Sequence, residues 1–292
     1  MLVPGKEATM AKKKGRTGRG VDGRPGRRYE MTDDGYERIE DLLPRQQRGG
    51  KWADNRTVLN GVFWVLNSGA HWRDMPARYG KWKTVYGRYR RWTRGGGSST
   101  RSSSGCMSRS TTRAASTGAS STSTARMCAR TASPRGRPEH RKKQARREIG
   151  GFGTMLHLVT DGRGVPLGAL VTAGQAHESR NFEALMDTVS IRRRRRPDAV
   201  AGDKGYSYPR IRAWLARRGI EAVIPTRRDQ PHERLDRRKY RHRNVVERCI
   251  GWLKESRRVA TRYEKLATHY LAMVKIAMIQ RCLRLLDPSN RV

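Results

Sequence analysis

The sequence predicts an α/β fold, a mixed sheet with flanking helices, preceded by a small all-α domain. Between residues 154 and 224, short apolar runs with strand character alternate with helical segments. Before them, residues 31–94 carry three short apolar runs at helical spacing. We therefore predict a disordered basic arm (1–28), a helical domain (29–96), a disordered segment (97–138) and an α/β domain (139–292).

The helical domain begins with Thr32 as a predicted N-cap and Asp33 and Asp34 in the first turn. A second apolar run ends at Asn67-Ser68-Gly69. The third run is aromatic and basic, and it carries the candidate DNA contacts Arg88, Arg90 and Arg91. Three short helices with a basic last one are typical of a helix-turn-helix module. A plain three-helix bundle with a solvated basic face is the alternative.

The α/β domain is predicted element by element. Residues 155–159 and 167–171 form a hairpin around the turn at 161–164. A helix (183–189), a strand (199–203), a second helix (209–218) and a strand (222–224) follow, and a further helix comes after them.

The charge balance points to a polyanionic partner. Lys and Arg number 64 against 26 Asp and Glu, a formal net charge of +38. A high-GC genome that inflates Arg is an alternative source of part of this excess. The four Cys form no CxxC pair, which argues against a zinc ribbon or a disulfide framework and favours a reducing cytoplasm. No apolar run reaches the roughly 18 to 20 residues that cross a bilayer, so we expect no membrane partner.

One polar stripe carries candidate chemistry. Tyr240, Arg243, Glu247 and Lys254 lie within roughly 60° of one another on a continuous helix. The apolar residues of the segment, Val246, Cys249, Ile250 and Leu253, fall on a different side. Such a helix can bury its apolar side on the sheet and present Glu247 to a cleft, although a charged solvent face is the simpler interpretation.

Asp203 is the second candidate, because it ends a predicted strand, where open α/β sheets hold ligands. An Asp at this position also commonly caps the next turn.

These motifs resemble a known family. Tyr-x2-Arg-x3-Glu-x6-Lys is similar to the signature around the last acidic residue of one large group of DDE insertion-sequence transposases, and Asp203-Lys204-Gly205-Tyr206 resembles their second acidic motif. Gly150–Thr154 with His157, and Gly174-Gln175 with His177-Glu178-Ser179, resemble the intervening strands, and Trp72–Pro76 resembles the N-terminal module. The similarity covers roughly residues 31–96 and 139–286, and it is to relatives of the fifth-named insertion-sequence family.

The resemblance implies a ribonuclease-H-like core in which three carboxylates hold two Mg²⁺ or Mn²⁺ ions about 4 Å apart, for DNA cleavage and strand transfer at terminal inverted repeats. Asp203 and Glu247 would be catalytic metal ligands. Arg243 and Lys254 would contact phosphates, and Tyr240 the terminal nucleotides. The implied partners are duplex DNA, both inverted repeats and target, and a second copy of the chain when bound to DNA. The implied location is the bacterial cytoplasm, on the nucleoid.

The first Asp of the family is missing, because there is neither Asp nor Glu between Met75 and Pro138. Codons can be chosen for Ser121–Thr131 that, read two bases onward, spell Asp-Val-Asp-Gly-Thr-Asp-Val-Arg-Ala-His. We therefore hypothesise that residues 97–136 are translated out of frame. The resemblance then implies the loss of a central strand and little or no strand transfer.

Two other classes remain. A degenerate transposase or a regulator would bind DNA without catalysis, and simple gel retardation without metal-dependent nicking identifies it. A basic RNA-binding protein is supported by charge alone, and a preference for duplex inverted-repeat DNA over RNA excludes it.

Overall fold

A computed structural model describes residues 28–43, 53–94, 126–132, 153–189 and 197–287, with 126–132 described as backbone only. Three helices come first: α1 (Asp33–Glu40), α2 (Asn55–Ser68) and α3 (Trp82–Arg94). Thr32 caps α1 as predicted, since its side chain accepts a hydrogen bond from Gly35 N. Gly69 ends α2 in the left-handed conformation at φ 71°. The arm at residues 1–27 lies outside the described residues.

The sheet has five strands in the order β3-β2-β1-β4-β5. Their bounds are β1 (Arg126–Ala132), β2 (Thr154–Asp161), β3 (Pro166–Ala173), β4 (Ala199–Ala201) and β5 (Glu221–Val223). β1, β2 and β3 pair antiparallel, whereas β4 runs parallel to both β1 and β5. The predicted mixed sheet is confirmed, and so is the predicted hairpin, which β2 and β3 form. In the turn of the hairpin, the backbone N–H groups of Arg163 and Val165 both donate to Asp161 Oδ1, each at 2.8 Å.

The expected loss of a central strand is wrong. Residues 126–132, inside the segment for which no element was predicted, form the middle strand of the sheet, between β2 and β4. The backbone of almost any sequence can complete a sheet ladder, because the N–H and C=O groups that pair are common to all residues except proline. The missing carboxylate therefore does not entail a missing strand.

Helices cover both faces of the sheet. On one face lie α4 (Phe182–Asp187) and α5 (Pro209–Ala216), whose buried Phe182 and Ile211 pack with Val159 and Val200. On the other face lie α6 (Arg237–Arg241), α7 (Asn244–Glu255), α8 (Arg257–Ala260) and α9 (Ala267–Leu286). The alternation along β2 explains this division, since Leu158 faces the second layer and Val159 the first.

The N-terminal helices share the core of α7–α9. Val62 and Phe63 of α2 and Tyr89 of α3 are buried in one apolar cluster with Val274 of α9. The Tyr89 hydroxyl also donates to the backbone oxygen of His269 at 2.7 Å. The sequence boundary near residue 96 thus separates two stretches of chain whose buried side chains form a single core.

Within the described residues, no helix has both the length and the apolar character that a bilayer span needs.

Candidate active site

Asp203 lies two residues beyond β4, at the edge of the sheet where the sequence placed it. Its side chain caps a short 3₁₀ turn, Lys204–Tyr206, and Oδ1 accepts a hydrogen bond from Gly205 N at 3.0 Å. Tyr206 is fully buried and anchors this turn in the apolar layer under α4 and α5. The carboxylate is therefore held in place by backbone and by packing.

A second carboxylate, that of Glu178, lies beside Asp203 and was not predicted as a site residue. A Cβ atom on Gly205 would collide with Glu178 Oε2 and would lie 3.0 Å from Asp203 Oδ1. Both carboxylates therefore crowd the same glycine. The only sequence signal for Glu178 was its place in the His177-Glu178-Ser179 motif.

His177 belongs to a polar cluster next to these carboxylates. The Tyr208 hydroxyl lies 3.1 Å from His177 Nε2, and the Arg227 guanidinium donates to that hydroxyl at 2.9 Å. His177 Nδ1 lies 3.0 Å from Ser179 Oγ. The cluster ties the turn before α4 to the loop that follows β5, and thus fixes the surroundings of Asp203.

The predicted polar stripe is divided between two helices. Tyr240 lies on α6 and Glu247 on α7, with a turn at His242 and Arg243, so the prediction of one continuous helix is wrong. Both turn residues keep right-handed helical dihedral angles. Neighbours along the stripe therefore still meet: the Arg243 guanidinium lies 5.4 Å from the centre of the Tyr240 ring and 3.0 Å from Glu247 Oε1.

The apolar side of α7 packs as expected. Val246, Cys249, Ile250 and Leu253 are buried, and α7 lies against β1 and β2. Glu247 is partly exposed, with 35% of its side chain accessible, and Lys254 is exposed at the far end of the same helix. The helix therefore covers β1, the strand that pairs with β4, and Asp203 follows the end of β4.

The basic residues of α3 do not share one environment. Arg88 is only 2% exposed and donates to Asn55 Oδ1 at 2.5 Å, so its predicted role as a DNA contact is wrong. Burial lowers the pKa of this guanidinium. Arg90 is partly buried against the Tyr86 ring, whereas Arg91 is exposed.

The carboxylates present do not fit a two-ion centre. Asp203 and Glu247 have the hard oxygen donors that Mg²⁺ prefers. Among the residues that the structure describes, however, no three His, Cys, Asp or Glu side chains form a metal-binding group. In the parallel register of β1 and β4, residue 128 pairs with residue 201. If that register is continued by two residues beyond β4, the position level with Asp203 is residue 130, which is Arg.

Comparisons with known proteins agree with this architecture. The family described as "Transposase DDE domain" matches residues 120–280, more than half of the chain. The family "Putative transposase of IS4/5 family" matches residues 31–98. No solved structure matches the chain.

Two relatives are transposases by name. The "Putative transposase for insertion sequence element IS402" of Burkholderia cepacia is 35% identical over 136 residues, 44% of this chain and 63% of the relative. The "Putative transposase for insertion sequence element IS6501" of Brucella ovis is 30% identical over 136 residues, 45% of this chain and 98% of the relative. The chain thus spans less than two thirds of the first relative's length.

The mixed sheet with its flanking helices agrees with the fold of the matched family, whose members generally depend on a divalent metal. The two family matches and the Brucella relative show that this chain belongs to the DDE transposases of the IS4/5 families.

Proposed function

We propose that this chain binds the terminal inverted repeats of an insertion sequence as a DDE transposase but does not complete strand transfer. The observation that carries the proposal is that Asp203, at the end of β4, and Glu247, on helix α7, belong to no metal-binding group of three side chains among the described residues. Two carboxylates cannot hold two ions in the geometry that in-line displacement needs.

Several described residues support the DNA-binding half of the proposal. Arg91 is exposed on α3, and Lys254 is exposed on α7. Arg243 lies beside Glu247 and against the Tyr240 ring, so it is positioned at the site itself. A guanidinium can bind a phosphate in a bidentate fork, and an ammonium acts as a point charge. We propose that these side chains hold the DNA backbone, that a DNA-bound homodimer forms, and that the chain associates with the nucleoid.

The loss of the first Asp is explained by the hypothesis that residues 97–136 are read out of frame. In an intact copy, that Asp would complete the carboxylate set with Asp203 and Glu247 on Mg²⁺ or Mn²⁺. The coding DNA tests the hypothesis directly: if the frame shifted by two bases contains no Val-Asp-Gly-Thr-like stretch, the hypothesis is wrong.

The decisive experiment compares the chain as translated with a frame-restored version. Both are mixed with duplex DNA carrying the inverted repeats, and retardation and Mg²⁺-dependent nicking are measured. We expect both proteins to retard the DNA and only the restored protein to nick it. Glu247→Gln in the restored protein should abolish nicking but leave retardation, because it removes a metal ligand and keeps the fold. Nicking by the chain as translated would overturn the proposal.

A non-catalytic regulator is the second candidate, and the incomplete carboxylate set favours it. It differs in one outcome: a frame-restored regulator would retard the repeats and still not nick them.

A further inference from the structure

A polar cavity lies away from Asp203 and Glu247, where α2, α7 and α9 meet. Its volume is about 150 Å³, enough for several water molecules or for one tetrahedral oxyanion. Its walls combine basic, aromatic and amide side chains: Arg28, Tyr29, Asn67, Trp252, Gln280, Arg281 and Arg284. The backbone at Tyr29 has a φ of 71°, an uncommon conformation for a residue other than glycine.

The charge of the cavity is positive. Arg28, Arg281 and Arg284 line it, and Glu255 is its only carboxylate among the described lining residues. Arg284 Nη1 lies 3.7 Å from Glu255 Oε2, which is more than half exposed. One carboxylate thus offsets one of three guanidinium groups, and the cavity keeps a surplus of two positive charges.

Arg281 packs on an aromatic ring in this wall. Its guanidinium carbon lies 3.2 Å from the centre of the Trp252 ring, which is a cation–π contact. Its Nε atom is buried and has no hydrogen-bond acceptor in the described part of the chain. A buried N–H without an acceptor destabilises the folded state. An acceptor that entered the cavity and reached this N–H would remove the destabilisation.

The floor of the cavity is a closed amide network. Asn67 Oδ1 accepts from Ser256 Oγ at 3.2 Å and from Gln280 Nε2 at 3.3 Å, and Asn67 Nδ2 donates to the backbone oxygen of Phe63 at 2.8 Å. These polar groups form hydrogen bonds with one another, so they do not need a ligand to complete their hydrogen bonding. Among the described lining residues, the buried hydrogen-bond donor without an acceptor is Arg281 Nε.

We propose that this cavity is a phosphate-binding pocket, with Arg281 and Arg284 as its main ligands. Guanidinium groups around a pocket with little negative charge are the chemistry that recognises a phosphate. The phosphate can come from a DNA backbone, in which case the inference rests on the proposed function, or from a free phosphate compound. A DNA phosphate bound here would hold the duplex at the C-terminal end of α7, the helix that carries Glu247.

The first arm of the test uses inorganic phosphate. Thermal unfolding is measured in phosphate and in chloride at equal ionic strength, for the unmodified chain and for Arg281→Gln, Arg284→Gln and the control Arg217→Gln. Arg217 is exposed at the end of α5 and does not line the pocket. A ligand that binds only the folded state raises Tm. We expect phosphate to raise Tm in the unmodified chain and the control, and to lose most of this effect in both pocket variants.

The second arm uses duplex DNA. If the phosphate belongs to DNA, Arg284→Gln weakens retardation several-fold and lowers the slope of log affinity against log salt by about one, whereas Arg217→Gln leaves both close to their original values. A phosphate effect on Tm without this change in slope assigns the pocket to a free phosphate compound. If the chain retards no DNA but keeps its phosphate effect, the proposed function fails and the pocket stands. An equal rise of Tm in all four proteins would overturn the pocket.

Arg284→Gln keeps the test valid if Arg281→Gln fails to fold. Arg284 is 36% exposed, and its replacement leaves the Arg281–Trp252 contact in place.

Discussion

Replacing Arg258 with alanine should destabilise the protein by about 3–5 kcal/mol, since it breaks a buried ion pair. Arg258 and Glu264 have side chains only 5% and 6% exposed, and Nη1 lies 2.6 Å from Oε1. Nη2 donates to the backbone oxygen of Ala70 at 2.6 Å, and the guanidinium faces the rings of Trp72 and Tyr263. Loss of the Arg258 side chain leaves the buried carboxylate of Glu264 without its cation. It also removes the hydrogen bond between α8 and Ala70, which follows α2.

The effect should depend on pH in a defined direction. Burial raises the pKa of Glu264, and Arg258 opposes that rise. Without Arg258, the folded-state pKa rises further above its unfolded value of about 4.3. The folded variant then binds more protons than the unfolded chain, so its stability is highest below the unfolded pKa and is lost as pH rises through the folded one.

Urea unfolding followed by Trp fluorescence at pH 5 and pH 8 measures both quantities. We expect a larger loss at pH 8 than at pH 5. The double variant Arg258→Met with Glu264→Gln should recover much of the loss, because it leaves no buried charge. Lys239→Ala, which breaks an exposed pair with Glu221, serves as the control and should cost less than about 1 kcal/mol. A loss for Arg258→Ala as small as that, or equal at both pH values, would refute the reasoning.

Three further substitutions test other parts of the fold by urea unfolding. Burial raises the pKa of Asp161, so the protein with Asp161 gains stability as pH falls and the Asn variant does not. Asp161→Asn, which keeps an acceptor for Val165 N, should therefore cost little at pH 7 and more as pH falls toward about 4; a large loss at pH 7 would show that the charge itself is needed. Tyr89→Phe removes the hydrogen bond to the backbone oxygen of His269 and should lower the free energy of unfolding by about 1 kcal/mol. The variant should still unfold in one transition, because the N-terminal helices and α7–α9 share a core; two separate transitions would contradict this. Gly69→Ala should cost about 1 kcal/mol or more, because φ is positive and the new Cβ would lie 2.9 Å from Arg257 Cβ; an unchanged midpoint would contradict it.

The positions of Asp203 and Glu247, the candidate metal ligands, were accessible from the sequence because local patterns encode them. Asp203 follows a short apolar strand and precedes a turn that it caps, and both signals lie within a few residues. The buried side of α7 follows from helical periodicity alone. By contrast, the break between α6 and α7 depends on how the chain turns at Arg243, which periodicity does not report.

The sequence by itself determined the mixed α/β class, the positions of Asp203 and Glu247, and the absence of any carboxylate between Met75 and Pro138. Only the tertiary structure decided the environments that depend on distant segments: Arg88 turned inward onto Asn55, Arg258 bonded to the backbone oxygen of Ala70 in the other half of the chain, and β1 completed the sheet without an acidic residue. The physical reason is common to all three. A residue's type and local spacing are fixed by its neighbours in the chain, whereas its burial and its partners are fixed by surfaces that the fold brings together.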